Sequence, residues 1–148
     1  PWIILRVPGI YGPSRLQLAT VYEKRPMLSI ADAGPGNRIH VDDLAGVIET
    51  AATSDVASQV INVGDGDPMT NTEFVAEVAR QIGAEPPPQL DREAMREIAS
   101  EQAWSFMRES RRVDVSRMRD VLGVTPRYAA PADGIAASLS AMRKAGTL

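Results

Sequence analysis

The stretch QVINVGDGDPMTNTEFVAEV, Gln59 to Val78, decides the fold. Its β-branched apolar run, Gln59 to Val63, reads as a buried strand, and Gly64 and Gly66 as the turn that ends it. Thr70 followed by Glu73 is a capping box, in which each side chain satisfies a backbone N–H at the helix start. Phe74, Val75, Val78 and Ile82 then fall on one helical face, and Gly83 is a stop. The same glycines invite a second reading, a dinucleotide loop of the form Gly-x-Gly-x-x-Gly. That loop needs its third glycine for close packing of helix on strand, and Met69 stands there. The acidic ribose partner, expected about twenty residues on, would fall near Pro86 to Pro88. The stretch is therefore an ordinary strand–turn–helix passage of a parallel sheet.

Working outward, Trp2 to Val7 (WIILRV) is an apolar run expected to be a strand buried on both faces, ended by PGIYGP. Arg15 to Arg25 has helical spacing through Leu16, Leu18, Ala19 and Tyr22, ADAGPGN is a turn, and RIHV is extended. Asp42 or Asp43 is expected to cap a helix through about Ala52, with Leu44, Val47, Ile48 and Ala51 inward. AEPPPQL reads as a linker or rigid loop. One helix is expected over Asp91–Phe106, with Met95, Ile98, Ala99 and Phe106 on one side. A short helix follows, capped by Asp114 or Ser116 and closed by Gly123. A last helix opens at Pro131 and runs to about Lys144. Strands alternating with helices imply a parallel sheet, and two buried parallel strands need neighbours. The fold class is thus α/β with an apparently incomplete sheet, to be completed by missing strands or a partner chain.

Bulk properties narrow the classes of function. The 148 residues, 44% hydrophobic and 24% charged, suffice for one core. A net charge of −3 argues against a protein devoted to nucleic acid, which needs a concentrated basic face. Arg108, Arg111 and Arg112 beside Trp104 and Phe106 read as a solvated helix face over core aromatics. No apolar run reaches membrane-span length, and PWIILRVPGIYG has no basic leader. With no cysteine there is no thiol chemistry, and a cytoplasmic location is the default. Asp42 and Asp43 are read as capping groups rather than metal ligands, and the lone His40 as hydrogen-bonded scaffold. Because the chain enters a strand at once, it is expected to be a piece of a longer one.

Four segments in order, ILRVPGIYGP (Ile4–Pro13), NRIHVDDLA (Asn37–Ala45), VINVGDGDPMTNTEFVAEVARQIG and SRRVDVSRMRDVLG, closely resemble the carboxyl-terminal half of extended and atypical short-chain dehydrogenase/reductases. This is the NAD-dependent epimerase/dehydratase group. The resemblance spans the whole chain, 1–148. It implies the last strands of a Rossmann-like sheet plus a mostly helical substrate lobe at about 84–148. It also implies NAD or NADP as cofactor of the full-length protein, with weak or no binding by this chain alone. The group's Tyr-x-x-x-Lys pair is absent here: Tyr11 is followed four places on by Arg15, and Tyr22 by Pro26. A tyrosine base needs such a lysine to lower its pKa, so no catalytic residue is assigned.

Ligands of open α/β sheets collect outside the carboxyl ends of the strands. By resemblance, Val7, Pro8, Gly9 and Ile10 form the turn that passes the nicotinamide, with Tyr11 at its substrate end. Arg15 and Arg38 have two readings, contacts to an anionic group of a small-molecule substrate or, preferred, surface arginines paired with nearby carboxylates. The sugar-nucleotide members carry Asn where this chain has Gly9. They carry a diphosphate-binding Arg where it has Gly36, and glycine cannot replace that planar fork of donors. Three functions follow as expectations. The first is the substrate-lobe portion of an NAD(P)-dependent oxidoreductase or epimerase, inactive alone. The second is a non-catalytic NAD(P)-binding sensor or scaffold, and the third a dimerising interaction module. The missing partner is an amino-terminal Rossmann half or a second chain.

Overall fold

The computed structural model describes residues 2–56 and 58–148, leaving Pro1 and Ala57 outside. The chain is mixed α/β, with short parallel strand pairs and seven helices among the described residues. It divides into two compact units that interleave along the sequence.

The first unit takes residues 2–15, Asn37–Asp67 and Val113–Leu148. Strand β1 (Ile3–Arg6) pairs in parallel with β5 (Gln59–Asn62), Ile3 opposite Gln59 and Arg6 opposite Asn62. β2 (Gly9–Tyr11) pairs in parallel with β4 (Arg38–His40). Ile39 and Ile61 from these strands pack with Leu44 and Val47 of α2 (Val41–Thr53) and with Met118 and Leu122 of α6 (Ser116–Leu122). α7 (Pro131–Lys144) starts with proline at a position where its missing N–H costs nothing, and buries Ile135, Leu139 and Met142.

Four expectations for this unit are corrected. The N-cap position of α6 is Val115, with no side-chain cap bond, rather than Asp114 or Ser116; Asp114 Oδ1 accepts from Ser116 N–H at 2.8 Å. β1 alternates rather than burying both faces: Ile4 is 51% exposed, as is Trp2 just before the strand at 53%, and among the described residues nothing covers that side. The cap of α2 is His40, whose Nδ1 accepts from the Asp42 N–H at 3.2 Å; neither aspartate caps it. Ile48 is 51% exposed, so the inward stripe of α2 is narrower than its spacing implied.

The second unit takes Leu16–Gly36 and Pro68–Arg112. α3 (Asn71–Ile82) has the capping box read from the sequence: Thr70 Oγ1 accepts from Glu73 N–H, and Glu73 accepts from Thr70 N–H. Gly83 closes it at φ 72°, a left-handed position that glycine enters without steric cost. Phe74, Val75 and Val78 are buried together with Leu16 and with Val21 of α1 (Leu18–Tyr22). β3 (Met27–Leu28) pairs in parallel with β6 (Gln89–Leu90).

Here too the sequence needs correcting. The helix expected over Arg15–Arg25 shortens to the five residues of α1, since Gln17 takes φ 56° before it. AEPPPQL ends in a strand rather than running on as a loop. The helix expected over Asp91–Phe106 is two, α4 (Arg92–Ile98) and α5 (Glu101–Met107). Ala99 is extended and Ser100 caps α5 by accepting from Ala103 N–H at 3.2 Å. A local cap competes successfully with helix propagation there. That break turns Phe106 outward, 71% exposed, so it is not a core aromatic. Trp104 lies under the guanidinium groups of Arg92 and Arg96, 5.9 and 5.6 Å from its ring centre.

Among the described residues no helix is long and apolar enough to cross a membrane.

Candidate functional site

The turn singled out by the sequence lies between β1 and β2. Val7 and Gly9 are exposed, Pro8 and Ile10 half-buried, and Tyr11 buried. Gly9 N–H donates to the carbonyl of Asn37 at 3.3 Å, starting the ladder in which Gly9 faces Arg38 and Tyr11 faces His40. Tyr11 and Arg38 are thus brought together in a buried ladder. Arg15 is exposed and stands beyond it, at the end of the bend closed by its N–H on Gly12 O at 3.0 Å.

A polar cluster supports the turn from within the unit. The His40 ring meets Tyr11 edge-on, centres 5.2 Å apart, and lies 4.3 Å from the Tyr128 ring. Ser138 donates its hydroxyl proton to Gly134 O at 2.7 Å, so its oxygen accepts from His40 Nε2–H at 3.0 Å. This fixes the imidazole tautomer, since Nδ1 is already accepting from Asp42 N–H. Asp43 accepts from the N–H groups of Arg127 and Tyr128 at 2.8 and 2.9 Å and pins the loop before α7.

Asp65 completes the cluster. Its N–H donates to Arg38 O at 2.8 Å and its Oδ1 accepts from Asp67 N–H at 3.0 Å, while Oδ2 is buried with no hydrogen bond. Burial pushes its carboxyl up to about 6. Burial, reinforced by the negative charge of Asp65, raises Tyr11 well above the ordinary phenol range. Burial lowers His40, outweighing the nearby Asp42 and Asp43. Burial thus favours the protonated phenol of Tyr11 and the neutral imidazole of His40, the forms in which their ring and hydrogen-bond contacts hold the turn in place.

Sequence reasoning did not find Asp65, Tyr128 or Ser138, and gave Asp43 the wrong role. The signals were thin. Asp65 is an acid between two glycines at a strand end, and Ser138 is a small polar residue four places after Gly134 on the inward face of α7. The partners of Asp43 lie 84 and 85 positions away.

The turn at Val7 to Ile10 is partly exposed and partly apolar. The glycine-rich pyrophosphate turn has no counterpart in this chain.

No family model and no curated protein matches the chain. Solved structures do. A conserved protein of unknown function from Silicibacter pomeroyi is 28% identical, with a TM-score of 0.80 over 94% of this chain and 48% of its own. A human epimerase family protein solved with NADPH is 17% identical, with a TM-score of 0.75 over 93% of this chain and 48% of its own. The Bordetella bronchiseptica enzyme WbmG, in complex with NAD and UDP, is 18% identical, with a TM-score of 0.70 over 99% of this chain and 46% of its own. The chain therefore spans about half the length of the solved structures it matches, and its fold is that of one half of Rossmann-like epimerase-type proteins.

Proposed function

We propose that this chain is the carboxyl-terminal, substrate-side portion of an NAD(P)-dependent oxidoreductase or epimerase-like protein of the short-chain dehydrogenase/reductase group. In this reading Val7, Pro8, Gly9 and Ile10 line the nicotinamide end of the cofactor, and Tyr11, Arg15 and Arg38 belong to the substrate side. The hydride moves between nicotinamide and a carbinol or carbonyl carbon, with the tyrosine base and its lysine supplied by an amino-terminal Rossmann half.

The observation that carries this is the half-length match, combined with what β1 leaves open. The fold aligns over 94% of this chain but 48% of its neighbour, and Ile4 of β1, with Trp2 just before it, leaves apolar surface exposed on one face of the strand. Apolar side chains on a parallel strand are ordinarily covered by the rest of the α/β sandwich. Val7 and Gly9 would then face a cofactor held mainly by the other half.

The test is to express the chain joined to the segment encoded ahead of it and to follow binding of NADH and NADPH by nicotinamide fluorescence. The joined protein is expected to bind one of them and the isolated chain to bind neither. Binding by the isolated chain as tight as by the joined protein, or no binding by either, contradicts the proposal.

A further inference from the structure

The second unit carries a partly open cavity of about 470 Å³, within the size range of small-molecule sites. Every residue lining it belongs to that unit, and of them the sequence drew attention only to Gly36 and Phe106. Its wall is mostly apolar: Met27, Leu28, Pro35, Ala103, Phe106 and Met107. Phe106 is otherwise an anomaly, a large aromatic left exposed on a helix whose other aromatic, Trp104, is covered by arginines. At the rim of a cavity an exposed ring is a stacking platform, and methionines give the adaptable surface that moulds to a ring.

The polar groups restrict the chemistry further. Gln17 and Asn71 both line the cavity and bond each other, Nε2–H of Gln17 to Asn71 Oδ1 at 2.8 Å and the reverse pair at 3.4 Å. Two exposed amides satisfied by one another can open toward a carbonyl or hydroxyl, since each carries both donor and acceptor. The charges of the lining are each already paired: Arg25 with Glu23 at 2.6–2.7 Å, and Glu109 with Arg111 at 2.8 Å. The one feature inviting an anion, the start of α3, is already answered by the carboxylate of Glu73 at Thr70 N–H, 2.8 Å away. A phosphate would find no unopposed cation.

We propose that this cavity binds an uncharged, ring-bearing small molecule through one carbonyl or hydroxyl, the ring stacking on Phe106 between Met27 and Met107 and the oxygen held by Gln17 and Asn71. Naming that molecule as the substrate rests on the function proposed above; its chemistry does not.

The 148-residue chain, labelled at its methionine methyls, is titrated with naphthol and with naphthyl phosphate, the same ring without and with a phosphate. Naphthol is expected to shift Met27 and Met107 while Met118 and Met142 of the first unit stay in place. Naphthyl phosphate is expected to bind about tenfold more weakly or worse, equivalent to about 1.4 kcal/mol. Phosphate binding as tight as naphthol, or no movement of Met27 and Met107, overturns the proposal. Phe106→Ala, an exposed position whose loss leaves the buried Met95 signal unchanged, is expected to weaken naphthol about tenfold; undiminished affinity overturns the stacking role. None of these signals depends on nicotinamide binding, so the two proposals fail separately.

Discussion

His40 Nε2 lies 3.0 Å from Ser138 Oγ, joining residues 98 positions apart, and the hydroxyl passes the chain of bonds on to Gly134 O. Both side chains are almost wholly buried. Ser138→Ala strands the Nε2–H away from water, and an unmet buried donor costs about 1–3 kcal/mol. Urea unfolding should show that loss, while Ser140→Ala, on the exposed face of the same helix, should move stability by less than about 0.5 kcal/mol.

Gly134 is the point where Tyr11 touches α7. A Cβ there would come within 2.8 Å of Tyr11 Cζ and closer still to its oxygen. Gly134→Ala should therefore destabilise by about 1–3 kcal/mol through overpacking. Gly46, inside α2 with nothing within 4 Å of a Cβ, is its control. Gly46→Ala should stabilise by up to about 1 kcal/mol by restricting the unfolded chain. Thermal melts of the two variants should move in opposite directions.

Two groups give the stability of the first unit opposing pH slopes. His40 titrates lower folded than unfolded, so its contribution is complete above the ordinary histidine value, about 6.5, and is lost as pH falls toward the depressed one. Asp65 titrates higher folded, at about 6. Its protonated form is favoured, so its contribution is complete below about 4 and lost as pH rises through 6. Asp65→Asn should raise the urea midpoint at pH 7 and leave a steeper fall between pH 6 and pH 4, governed by His40. An unchanged midpoint at pH 7 would count against a charged, buried Asp65.

Ile4 separates folding from assembly. At 51% exposure it should tolerate Ile4→Glu in the isolated chain, with a stability change within about 0.5 kcal/mol. A charge facing the missing half of a sheet is costly once buried. The same variant should therefore fail to co-purify with a separately expressed amino-terminal half that captures the unaltered chain.

Legibility from sequence followed the range of the forces involved. α7 was readable to its ends because Pro131 and a regular apolar stripe are local, and α3 because Thr70, Glu73 and Gly83 lie within fourteen positions. β6 was hidden because Pro86 to Pro88 announce a loop and the strand's partner, Met27, is far away in the chain. The break between α4 and α5 hung on one serine outcompeting helix propagation. The turn at Val7 to Tyr11 could be picked out as a strand end. Its support by Asp43, Asp65 and Ser138 could not, since each depends on which distant backbone or ring reaches it.

The interleaving of the two units also sets an order of events during synthesis. Every buried residue of the second unit has been translated by Arg112, so that unit can close while the chain is still growing. The first unit waits for Met118, Leu122 and Ile135. Until they emerge from the ribosome, β1 and β5 have only α2 to pack against, and a message truncated after Arg112 would leave the first unit without the α6 and α7 side chains that complete its core.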